Sequence, residues 1–142
     1  MSVESHEKQH IALAQLESAL RIFADGKDFY SVVTLAGAAD ELLGRLLEKR
    51  GGVSALVSLT KASAAIHRIV SGIPSNEKLF VERANLARNA LKHLRAGGEE
   101  AVRLDIRKEA VDMLDRAISN YWALTHAMTP LMETFEHSRR AT

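Results

Sequence analysis

The chain has 142 residues with 46% hydrophobic and 26% charged side chains, which is the balance of one soluble globular domain spanning 1–142 rather than a disordered segment. It has no cysteine, so disulfides, thiolate nucleophiles and cysteine-ligated metals are excluded together. A formal net charge of +1 gives no whole-molecule field for a polyanion.

No apolar run reaches the roughly 20 residues of a membrane-spanning helix, and MSVESHEKQH lacks the basic and apolar regions of a secretory signal. A reducing cytoplasm, with no membrane partner, is the expected setting. Alanine and leucine dominate and proline appears twice, which predicts helices throughout. The first helix opens at Ser2 or Ser5, carries Leu13, Leu16, Leu20 and Phe23, and stops at Asp25-Gly26. Asp28 caps the second, where Val32, Leu35, Ala36, Ala39, Leu42, Leu43, Leu46 and Leu47 form a wide apolar stripe. Gly51-Gly52 stop it.

Ser54 to Val70 reads as a third helix, closed by Gly72-Ile73-Pro74. Ser75 or Asn76 caps a fourth, with Phe80, Ala84, Ala87, Leu91 and Leu94 inward, until Gly97-Gly98 breaks it. Asp105 caps the longest helix, Ile106 to about Met128, and Thr129-Pro130 starts a short last one. The tail 138–142 is expected to fray. These segments predict an all-α antiparallel bundle of about five to six helices. The longest helix has one apolar stripe of Ile106, Ala110, Leu114, Ala117, Tyr121, Leu124 and Met128. Val111, Ile118, Trp122 and Thr125 form a second beside it. Such a helix is either central in the bundle or partly covered by another subunit.

The one constellation suited to chemistry lies in ERANLARNALKHLR. On a continuous helix, Asn85, Arg88, Asn89, Lys92 and His93 spread over an arc of roughly 140° opposite the apolar stripe. That arc offers cations, amides and an imidazole that titrates near neutrality, the groups phosphate-ester cleavage requires. A plain solvated face has the same composition. Glu41 stands between Gly37 and Gly44, where a neighbouring helix can approach closely, and its carboxylate can tune the site by pairing with Arg88 or another base. His6 and His10 have a metal-compatible spacing without further ligands, and His67 and His126 stand alone. Tyr121 and Trp122 read as packing residues. No metal and no cofactor are expected.

Arg88-Asn89-Ala90-Leu91-Lys92-His93 resembles the R-x4-6-H signature of the HEPN superfamily (higher eukaryotes and prokaryotes nucleotide-binding), with its preferred polar residue after the arginine. TLAGAADELLGRLL and EAVDMLDRAISNYWAL are similar in character to segments of small bacterial HEPN-type proteins. The resemblance implies an HEPN-like helical domain that binds RNA or cleaves it without metal. It also implies a composite site at a homodimer interface. In that reading His93 is general base or acid, Arg88 stabilises the phosphoryl transition state, and Asn89, Asn85 and Lys92 hold substrate. A toxin-type pair with a small antitoxin belongs to the same expectation. The alternative is a helical binding or dimerisation module without turnover, for example the partner of a nucleotidyltransferase or antitoxin.

Overall fold

The computed structural model describes residues 1–141, so Thr142, the end of the tail expected to fray, lies outside the described residues. Among these, seven α-helices form in the order α1 Lys8–Asp25, α2 Phe29–Lys49, α3 Ala55–Ser71, α4 Glu77–Ala84, α5 Leu86–Ala90, α6 Ile106–Thr125 and α7 Pro130–Arg140. No strand forms among them. None of these helices is long and apolar enough to cross a membrane.

Local chemistry sets most boundaries. Asp28, Ser54, Asn76, Asp105 and Thr129 each accept a backbone N–H from the first turn of the helix they precede, satisfying one otherwise orphaned donor. Gly26 and Gly72 end α1 and α3 with left-handed backbone, which costs glycine nothing. The first helix starts later than its serines suggest. Ser2 and Ser5 precede an exposed stretch, and α1 begins after Glu7, whose side chain makes no cap bond. The longest helix ends three residues early, because His126 adopts φ 54° and turns the chain. The last helix runs as far as Arg140. Arg139 is held there by Asp115 of α6.

The core is a three-helix seam of α1, α2 and α6, closed at one end by α7. Leu16, Val32, Val33, Leu43, Met113, Leu114 and Met132 are fully buried in it. Asp40 meets Arg116 and Gly44 meets Asn120, so residue numbers rise together along α2 and α6. These two helices therefore run parallel, and the expectation of a wholly antiparallel bundle is corrected: the α3–α5 excursion carries the chain back before α6 begins. The helix count also rises above six, because the expected fourth helix is two helices divided at Asn85. Leu94, expected on its inner face, lies past the end of α5 and is exposed.

On α6, Val111 is half-buried and Ile118 buried, so the single chain already covers much of the second stripe. Trp122 is the departure. Rather than packing, it stands 52% exposed, edge-on to the His126 ring. The larger uncovered apolar surface is on α3, where only Thr60 is buried.

Where α7 meets α6, burial pushes the Asp115 carboxyl up to about 6, against the pull of Arg139 and with a further push from Glu136 and Asp112. A folded value above the ordinary 3.8 means the group favours folding fully at low pH, and that contribution is lost as pH rises through about 6. Denaturant titrations between about pH 4 and 7 should show stability falling with pH at this site. Asp115→Asn should flatten that dependence; an unchanged slope would remove Asp115 as its source.

Candidate functional site

The structure gathers a polar cluster where α2, α4, α5 and α6 converge. Its hub is Arg116, 5% exposed. One guanidinium nitrogen donates to the Ala84 carbonyl at 2.9 Å. The other donates to Asp40 Oδ2 at 2.6 Å and Asn85 Oδ1 at 3.0 Å. The contact to Ala84 explains the broken helix. A carbonyl and an amide at the end of α4 are satisfied from α6, so the chain can leave its helical ladder at Asn85 without stranding buried polar groups.

Asn120 lies one turn beyond Arg116 and completes the cluster. Its Nδ2 donates to Asp40 Oδ1 at 3.0 Å, while its Oδ1 accepts the Ala55 N–H at 2.7 Å. The same amide thus fixes Asp40 and the start of α3. Burial pushes the Asp40 carboxyl above its usual range, opposed chiefly by Arg116 and then by Arg88.

Arg88 lies at the edge of this cluster, 13% exposed. Its stem crosses Gly37 so closely that a Cβ there would stand 2.7 Å from Arg88 Cδ. Glycine is what lets the side chain lie flat on α2. Nη1 is then 3.8 Å from Glu41 and 4.0 Å from Asp40, while Nε has no partner. Glu41 also accepts from Arg45 at 3.1 Å. Asp40, Glu41, Arg45, Glu48, Asn85 and Arg88 face a cleft of about 280 Å³.

The residues of the expected arc are divided. Arg88 turns inward to the cleft, whereas Asn89 and His93 line a separate groove of about 510 Å³ with Glu82, Arg95 and Glu99. Lys92 is exposed and lines neither. The single-helix arc is corrected, because α5 ends at Ala90 and the Asn89 carbonyl receives the N–H groups of Lys92 and His93 in a turn. Asn85 is corrected too. It is 8% exposed and its amide oxygen is spent on Arg116, which makes it part of the scaffold rather than a free substrate contact.

Asp40, Arg116 and Asn120 were not among the candidates from sequence, yet a signal existed. Each interrupts an apolar helix face, Asp40 beside Ala39 and Leu43, and Arg116 and Asn120 one turn apart between Met113, Ala117 and Tyr121. Buried charge on such a face requires partners. His6, His10, His67 and His126 are exposed, and no group of three metal-ligating side chains gathers among the described residues.

No protein-family model, curated protein or solved structure matches this chain. The site's chemistry therefore stands on its own geometry.

Arg116→Leu removes the partner of a buried carboxylate and should cost about 3–5 kcal/mol. Urea unfolding at neutral pH measures it, and a loss below about 1 kcal/mol would mean the cluster does not hold the fold together.

Proposed function

We propose that the chain is an HEPN-like helical domain that binds or cleaves RNA at a site formed by Arg88, Asn89 and His93 from two copies. The observation that supports this reading is the state of the Arg88 guanidinium. It is almost withdrawn from water, yet its ion pairs are long and its Nε is unpartnered. Buried donors are ordinarily satisfied, so a cation whose Nη1 makes only long ion pairs at a cleft mouth is suited to donate to a phosphate oxygen. Asp40 and Glu41 hold it in position without saturating it.

Arg88 and His93 face different hollows in one copy. A two-fold pairing can bring His93 of one copy towards Arg88 of the other, as a composite site requires. In the reaction, a ribose 2′-hydroxyl attacks the adjacent phosphorus and the bond to the 5′-oxygen breaks. The products are a cyclic phosphate and a 5′-hydroxyl. His93 takes the attacking proton or delivers one to the leaving oxygen. Arg88 stabilises the charge on the phosphoryl oxygens, and Asn89 orients them.

A specific observation favours a second reading, a binding module without turnover. The distal half of α3 carries a bare apolar stripe that no intramolecular partner covers. The two readings separate in one assay.

Purified protein incubated with cellular RNA in EDTA should leave cyclic-phosphate ends, and His93→Ala should slow cleavage by about 10²–10⁴. Arg88→Lys should also fail, because a point ammonium cannot reproduce a planar two-pronged grip. Equal cleavage by wild type and His93→Ala would sink the catalytic assignment. No cleavage with retained RNA binding would leave the non-catalytic form of the site, and neither would leave the binding module.

A further inference from the structure

Along α2, Gly37, Asp40, Glu41, Gly44, Arg45 and Glu48 recur at helical spacing, on the face where the Arg88 side chain of α5 crosses. The charges on this face are not equivalent. Asp40 is spent on Arg116 and Asn120. Glu41 stands instead between the two arginines of the cleft. Its Oε1 accepts from Arg45 Nη2 at 3.1 Å, and its Oε2 lies 3.8 Å from Arg88 Nη1. The two cations differ in freedom. The Arg88 side chain is 13% exposed and lies pinned across Gly37, whereas that of Arg45 is 76% exposed. The Glu41 side chain is 41% exposed, and an exposed pair one turn apart on a helix holds weakly, so this carboxylate is free to turn outward.

Two guanidinium groups facing one anion is the arrangement that grips a phosphate. A carboxylate and a phosphodiester each spread a single negative charge over two oxygens, so one can replace the other without changing the local charge. With Asp40 offset by Arg116, the cleft sets Glu41 and Glu48 against Arg45 and Arg88. An arriving anion therefore meets a balanced site while Glu41 stays, and an excess of positive charge once Glu41 turns away.

We propose that Glu41 is a built-in competitor at this cleft, displaced when an RNA phosphodiester takes its place between Arg88 and Arg45. The assignment rests on Arg88 as the phosphate-binding group proposed above, and it adds Arg45 as the second contact. A small anion gains too little from two arginines to evict the resident carboxylate. A strand that also reaches Asn89 and His93 gains more, so Glu41 selects the polymer against small anions.

The test reads binding apart from cleavage. A short oligoribonucleotide with 2′-O-methyl groups keeps every phosphodiester but lacks the attacking hydroxyl, and fluorescence anisotropy with the full chain gives its affinity. Glu41→Gln keeps the shape of the side chain and removes its charge, and should bind at least about tenfold more tightly than wild type. Glu41→Ala should show the same gain, and a gain in affinity is not what a damaged fold produces. Glu48→Gln removes an equal charge from the same cleft, where Glu48 pairs with neither arginine, and should gain less than about threefold. Adding Arg45→Gln to Glu41→Gln should remove most of the gain. Equal or weaker binding by both Glu41 variants overturns the proposal. So do equal gains from Glu41→Gln and Glu48→Gln, since net charge alone would then be at work, and so does a gain that survives Arg45→Gln. Failure of wild type and every variant to bind overturns both the competitor and the Arg88 site. Tighter binding by Glu41→Gln, with unmodified RNA left uncut by wild type, keeps the competitor and removes only the catalytic reading.

Discussion

The guanidinium of Arg116 joins four helices through three short hydrogen bonds, and the placement of the candidate site follows from that junction. It draws Asp40 of α2 to α6, takes the last carbonyl of α4, and holds the amide that opens α5. Taking such a group out of water costs several kcal/mol, which only well-made partners repay. Stability alone does not explain the cluster, since apolar residues fill such space at less cost. What it provides is direction. With Ala84 and Asn85 fixed, the single turn that follows presents Arg88 to Gly37 and Glu41 rather than to solvent.

Those features whose signals are local were legible in the sequence. Caps at Asp28 and Asp105, the helix starts near Ser54 and Thr129-Pro130, and the stops at Gly26 and Gly72 act within one turn of the chain and appear as such. The apolar stripes of α2 and α6 were equally plain, because burial repeats with the helical period. The interruption at Asn85 could not be read this way. It depends on Arg116, 31 residues on, reaching back to satisfy groups that a continuous helix would have bonded within itself. The arc of polar residues from Asn85 to His93 presumed an unbroken cylinder, and the long-range contact at Asn85 and the turn that ends α5 at Ala90 bound it on both sides. Asp40 escaped notice for a related reason, since a charge flanked by core residues has meaning only once its partner is placed.

The molecule is unevenly built. The α1, α2 and α6 seam buries nearly all the core, while α3 is secured at its beginning by Ser54, Thr60 and the bond from Ala55 to Asn120. Beyond Thr60 it bears small residues and bare aliphatics. This asymmetry also separates two kinds of surface. A polar cleft with three carboxylates and two arginines meets the core at Arg88, and a more apolar groove lies beside Arg116, with Asn120 lining both.

A helix of five residues has almost no hydrogen-bond ladder of its own, and α5 is such a helix. Its two flanks are tied to the rest of the chain by unlike means, side chains at Asn85 and the Asn89 carbonyl at the turn. Ala87 in the core and Leu91 against it add packing to those ties. The amides of Asn89 and Leu91 are therefore protected by the seating of one short segment rather than by a ladder of its own, and their exchange with solvent deuterium reports how firmly the turn that carries Arg88 is seated.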